Sequence, residues 1–344
     1  MKKSLLTLLA TIASFAVANA TVYGDVNGDG NVSVVDVTAV YNYLLEGDET
    51  FLATSDIDGD GYITVADITI IYNIILGIES PEEPPAPVTE YTVNGVTFKM
   101  VEVEGGTFMM GTELYYGSAH PAHEVTLNTY SIGQTEVTQE LWVAVMGSNP
   151  SYFNEYGNAE VHSNSHSSWD AGINLQRPVD YVNYGDCLEF CAKLNEMTGK
   201  NFRLPTEAEW EFAARGGNLT HGYEYSGSDS INDIAWYKAT IPSPTLWTDG
   251  WGTQTVATKA PNELGIYDMC GNVDEWCYDW FDTYGVEPLA PQTNPTGPET
   301  GNNRVMRGGN CITKAESIGI MKVYYRQWQN PDARGNVRGF RLAL

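Results

Sequence analysis

Positive charge is what this chain has least of. Its 344 residues carry 44 Asp and Glu against 18 Lys and Arg, and residues 21 to 98 hold no basic side chain at all. A formal net charge of -26 repels phosphate backbones, so no nucleic acid partner is expected and a hard cation such as calcium is. Long apolar runs are also missing. Outside residues 5 to 17 nothing approaches the ~18 apolar residues of a membrane helix, so no membrane span is expected. That one run follows Lys2 and Lys3 and ends in Ala18, Asn19 and Ala20, the pattern of a secretory signal cleaved after Ala20. Thr21 rather than cysteine follows it, so no lipid anchor is indicated, and the mature chain is expected to be secreted, periplasmic or extracellular. Cysteine is sparse. Cys187, Cys191, Cys270, Cys277 and Cys311 permit at most two internal disulfides, and the first two, four apart on a helical pattern, read as core residues. No phosphate-cradling glycine loop and no convincing hydrolase triad appears. His120 and His123 flank a proline and His162 and His166 fall in a Ser/Asn-rich loop, so all four read as solvated loop residues.

What is present is a duplication. Residues 25 to 36 read DVNGDGNVSVVD and residues 56 to 67 read DIDGDGYITVAD, 31 positions later. Oxygen-bearing groups recur at loop positions 1, 3, 5, 7, 9 and 12 with glycine at 6, the spacing that wraps oxygens around calcium. The first loop offers Asp25, Asn27, Asp29, Asn31, Ser33 and Asp36, and the second Asp56, Asp58, Asp60, Tyr62, Thr64 and Asp67, with Asn31 and Tyr62 contributing carbonyls. Apolar residues at three- and four-residue spacing predict one helix after each loop, over residues 34 to 45 and 65 to 76. Too few residues precede the first loop for an entering helix, so the two loop-helix units must pack on each other.

Duplicated loop-helix units with aspartate at position 12 resemble the type I dockerin module, over residues 22 to 78. The resemblance implies an all-α calcium-binding module, with two ions, that docks onto a cohesin-like scaffold protein. Its contact positions hold Val34 and Val35 in one half and Val65 and Ala66 in the other, where dockerins commonly carry hydroxyl residues. An apolar pair in each half suits a contact patch; packing against the protein's own second domain is the alternative. The module is assigned residues 21 to 78. Residues 79 to 90, ESPEEPPAPVTE, cannot build a core and read as a stiff linker.

Residues 91 to 344 read as one loop-rich domain. Its organising stretch, residues 201 to 217, is NFRLPTEAEWEFAARGG. Thr206 and Glu209 form a capping box, and Ala208, Trp210, Ala213 and Ala214 give the following helix one buried side. Further helices are predicted after a cap at Thr138 and over residues 186 to 198, the latter stopped by Gly199.

With VEGGTFMMGT, KAPNELGIYDMCGNVDEWCYDW, RVMRGGN and the ending GFRLAL, this segment resembles the formylglycine-generating enzyme (sulfatase-modifying factor) family over essentially the whole domain. That resemblance implies a mixed α+β, C-type-lectin-like fold with at least one structural calcium, its ligands falling on Asp268, Gly271, Val273 and Glu275. Family enzymes oxidise a sulfatase cysteine to formylglycine with copper held by two cysteine thiolates, because soft sulfur selects Cu(I). Both positions differ here: following Arg307, Gly308, Gly309 and Asn310, they hold Thr313 and Ile318. Asp274 also replaces a usual tryptophan. Copper is therefore not expected and no catalytic residue is assigned.

The chain reads as an exported protein whose dockerin-like module attaches a non-catalytic recognition domain to a scaffold or cell-surface partner. Loops near Trp247, Trp251, Tyr324, Tyr325 and Trp328 are the expected contact for a protein or carbohydrate ligand. The alternative is a sulfatase-maturing oxidase with a non-standard site built from Cys270, Cys277 and Cys311.

Overall fold

A computed structural model of the chain describes residues 24–29, 31–46, 63, 68, 71–72, 74–75, 86–114, 118–153, 174–242, 251–285 and 289–344. The chain divides into two compact units, Met1–Pro84 and Pro85–Leu344.

In the first unit the acidic loop folds around its own side chains. Asp25 Oδ1 accepts from the amides of Gly28 (2.8 Å) and Asp29 (3.1 Å), and Asn27 Oδ1 and Asp29 Oδ1 accept from the amides two residues further on. Asp36, wholly buried, closes the loop by accepting from the amides of Asn27 and Ser33. Helix α1 then runs Val34–Glu46, one residue beyond its predicted end. Val26, Val37 and Val40 pack with Ile68 and Ile71 of the second copy, so the two copies share one core. The second copy's Asp56, Asp58, Asp60, Tyr62, Thr64, Val65, Ala66 and Asp67 lie outside the described residues, as does the signal segment.

Among the described residues the second unit holds three small sheets and four α-helices, one of them a single turn. Strands β1 (Val88–Val93) and β2 (Val96–Val103) form a hairpin across Asn94 and Gly95, both at positive φ, the turn that matches strand twist. Sheet structure thus begins at Val88, inside the stretch that composition alone gives to a linker. The β strand is favoured there because Val88 to Val93 find partners along all of β2. Strands β3 (Thr107–Met110) and β4 (His123–Thr126) pair antiparallel, and β5 (Tyr130–Gly133) extends the first hairpin.

Helix α2 (Gln139–Met146) is capped by Thr138, and α3 (Tyr184–Thr198) carries an Asn183/Asp186 capping box and stops at Gly199. Helix α4 (Glu207–Ala214) has the predicted Thr206/Glu209 box, followed later by the single turn α5 (Ile231–Ile234). Strands β6 (Asp274–Trp280), β8 (Arg304–Arg307), β9 (Gln327–Gln329) and β10 (Arg338–Gly339) form a four-stranded sheet in the order β10-β6-β8-β9, and β7 (Gln292–Thr293) joins β4. The domain is mixed α/β with few helices. Trp210 of α4 centres one apolar cluster and Phe190, Trp276 and Phe340 another.

Candidate functional site

One expectation about α4 needs correction. Ala208, Trp210, Ala213 and Ala214 predict one buried side, yet all eight residues are buried. Burying a carboxylate is tolerable only when it is paired, and each one here finds an arginine from elsewhere in the chain. Arg326 holds Glu207 through two bonds of 2.6 and 2.7 Å, Arg307 bridges Glu207 and Glu211, Arg215 reaches Glu211 at 2.7 Å, and Arg203 clasps Glu209. The buried chain Arg215, Glu211, Arg307, Glu207, Arg326 ties α4 to β8 and to the entry of β9.

Of the four calcium positions implied by resemblance, the structure commits one elsewhere. Glu275 is wholly buried, accepts from Arg341 at 2.6 and 2.7 Å, and also receives the Trp210 indole N–H. Asp268 is different. Its Oδ2 accepts from the Ala257 amide while Oδ1 is buried without a partner, and burial pushes the carboxyl up to about 6. Facing it is Glu136, which the sequence reading missed. One Glu136 oxygen accepts from Asn272, the other is buried and unpartnered, and burial, then the Asp268 charge, raises its pKa well above the usual range. Each of these two acids thus keeps one buried oxygen without a partner near the Gly271 to Val273 turn, and carboxylate oxygens are donors that suit a hard cation. Only the acid between Thr135 and Val137, at the approach to α2, hinted at Glu136.

The copper positions do not fit copper. Thr313 is buried and its hydroxyl accepts from the Asn310 amide, while Ile318 lies in a 3-10 segment (Ala315–Met321) and packs with the cluster around Tyr225 and Met321. The thiols offer no substitute pair. Cys270, Cys277 and Cys311 are free, buried and divided among three apolar clusters. Cys270 donates to the Met321 carbonyl at 3.1 Å, and burial raises all three thiols, Cys270 to about 12. Among the described residues no three His, Cys, Asp or Glu side chains converge as a metal cluster.

Beside Thr313 the family's aromatic position is polar. Asp274 accepts from Asn310 Nδ2 at 2.7 Å and from Gln327 Nε2 at 2.9 Å, and burial pushes it up to about 6. Gln327 lies on β9, whose Trp328 is 54% exposed, with Tyr325 exposed just before it. Tyr324 and Trp251 are half-buried, the latter against Phe153 and Cys311, and Trp247 lies outside the described residues. On α1, Val34 and Val35 are exposed, and Tyr41 and Leu45 continue the Val34 side of the helix as an apolar stripe.

Comparison with known proteins agrees with this layout. Residues 23–79 match the dockerin type I domain and residues 87–344 the sulfatase-modifying factor enzyme 1-like domain. The chain belongs to the sulfatase-modifying factor enzyme 1-like family and carries a dockerin type I module ahead of that domain. It is 32% identical to the chaperone protein LppX of Paenibacillus barcinonensis over 72% of this chain and 89% of that one. It is 37% identical to the formylglycine-generating enzyme of Thermomonospora curvata over 48% of this chain and 55% of that one. Among solved structures, Treponema denticola variable protein 1 superposes with a TM-score of 0.61 at 34% identity, covering 74% of this chain and 98% of that one. No helix among the described residues is long and apolar enough to cross a membrane.

Proposed function

We propose that the large domain is a non-catalytic recognition unit, exported and attached to a cohesin-like scaffold protein by its calcium-loaded dockerin module. The observation that carries this is the pair Thr313 and Ile318. A capped hydroxyl and an apolar side chain stand where copper needs two thiolates, and Cys270, Cys277 and Cys311 are buried in three separate apolar clusters. The relative named as a chaperone supports a member of this family acting without the oxidase chemistry. The ligand face is the Asp274, Asn310 and Gln327 cluster with the exposed Tyr325 just before Gln327 in the chain. On the module, Val34, Val35, Tyr41 and Leu45 form the first half of the docking surface, and Val65 and Ala66 its counterpart.

Calcium fills the two module loops and, in the large domain, the site of Asp268 and Glu136 with the carbonyls of Gly271 and Val273. There it supplies positive charge between two buried carboxylates; Glu275 serves Arg341 instead. Mass spectrometry of a sulfatase-motif cysteine peptide incubated with copper-loaded protein tests the main reading. No oxidised product is expected. Copper-dependent formylglycine would overturn it in favour of a sulfatase-maturing oxidase.

A further inference from the structure

A cavity of about 340 Å³ opens between the start of α4, the end of β6 and the entry of β9, away from Thr313 and Ile318. That volume falls within the range of small-ligand sites. Its floor is electrically quiet. Glu207 is neutralised by Arg326, whose remaining N–H groups serve the carbonyls of Ser118 and Asp282. Asp279 accepts from the Glu207 amide, and burial, then the Glu207 charge, pushes it up to about 7, so near neutrality its carboxyl both donates and accepts. The rim adds the hydroxyls of Thr283 and Thr296, the Gln292 amide and the Asp282 carboxylate. An anion would meet two carboxyls and no uncommitted cation. A cation would lie against the Arg326 guanidinium. Hydroxyl groups, each donor and acceptor at once, suit this mixed lining best.

Two further features extend the cavity outward. Gly297, at φ +71°, borders Asp279 so closely that an added Cβ would come within 2.9 Å of the Asp279 Cβ, so glycine lets this part of the lining pack against Asp279. Trp280 in the lining is already covered by Arg304 at 3.5 Å, but Trp328, two residues along the chain from Arg326, is exposed and lies 6.0 Å from Phe281. Alternate residues on an extended strand share a side, so the Trp328 face continues the Arg326 wall.

We propose that this cavity holds one sugar residue of a neutral polysaccharide, with Trp328 as the stacking platform for the next. The proposal rests on the recognition reading above and narrows its ligand. Calorimetric titration of the full calcium-loaded chain with cellohexaose, xylohexaose and mannohexaose tests it, with polygalacturonate and a lysine-rich peptide as charged controls. At least one neutral hexaose should bind. Trp328→Ala should weaken it about tenfold, and Asp279→Asn, which keeps an acceptor for the Glu207 amide, should weaken it less, both with unchanged melting temperatures. Absence of binding by all three hexaoses overturns the inference, as do unaltered affinities in both variants or tighter binding of either charged control. Peptide binding alone would sink the sugar and leave recognition standing. Formylglycine production would sink recognition and leave any sugar result intact.

Discussion

The two units of this chain bury carboxylates in opposite ways. In the dockerin module Asp36 is buried and accepts from the amides of Asn27 and Ser33 and from the Ser33 hydroxyl, in a stretch, residues 21 to 98, that contains no basic side chain. In the large domain Glu207, Glu211 and Glu275 are buried and each meets an arginine. On the function proposed above, a buried carboxylate calls for an external cation in one unit, while in the other it finds an arginine within the chain. Not every large-domain carboxylate follows the arginine pattern: Asp180 and Asp274 are held by amide groups, and one oxygen each of Glu136, Asp268 and Glu263 keeps no partner. A carboxylate is thus a candidate metal ligand according to the distribution of arginine around it.

Removing the internal cation should break this contrast most severely. Arg307→Met removes the buried cation between Glu207 and Glu211, leaving Glu207 to Arg326 and Glu211 to Arg215, and should cost about 3 to 5 kcal/mol in denaturant unfolding. A loss below ~1 kcal/mol would mean the network is not what secures α4. Next, Glu136→Gln should abolish calcium stabilisation of the large domain, about 2.7 kcal/mol at a hundredfold excess over Kd, read as a vanished calcium-dependent rise in melting temperature. An undiminished rise would place the ion elsewhere.

A gentler effect follows from pH. Burial raises Asp180 to about 8, Asp279 to about 7, and Asp268 and Asp274 to about 6, all above ordinary carboxyl values. The native state then binds more protons than the unfolded one, so this contribution is complete below pH ~4 and is lost as pH rises through 6 to 8. Calcium-free large domain should lose stability over that window, and calcium should flatten the part due to Asp268. Smallest is the module's surface: Val34→Asp with Val35→Asp should leave its melting temperature within about 1 °C while removing one of two docking orientations in pull-downs with the scaffold. Unchanged capture after also altering Val65 and Ala66 would show another surface at work.

Local features were legible in the sequence. The acidic loop, the caps of α2 and α4 and the Gly199 stop of α3 all depend on neighbours a few residues apart. The pairings that distinguish the two units were not. Arg307 and Arg326 reach Glu211 and Glu207 across 96 and 119 residues, and Asn272 reaches Glu136 across 136. No pattern within a helix window carries such information, so the sequence held no sign of the arginine partners that bury the second side of α4 or of the Arg341 that meets Glu275. The replacement of both thiolates by Thr313 and Ile318 was visible because it is a change of element, sulfur for oxygen and carbon.

Hydrogen exchange of the full chain with and without excess chelator tests the contrast most directly, since it reads both units in one sample. The account predicts that chelation brings the amides of α1 to the rates of an unfolded chain, while those of α4 stay protected behind their arginines. Protected α1 amides in chelator, or α4 amides lost together with them, would contradict it.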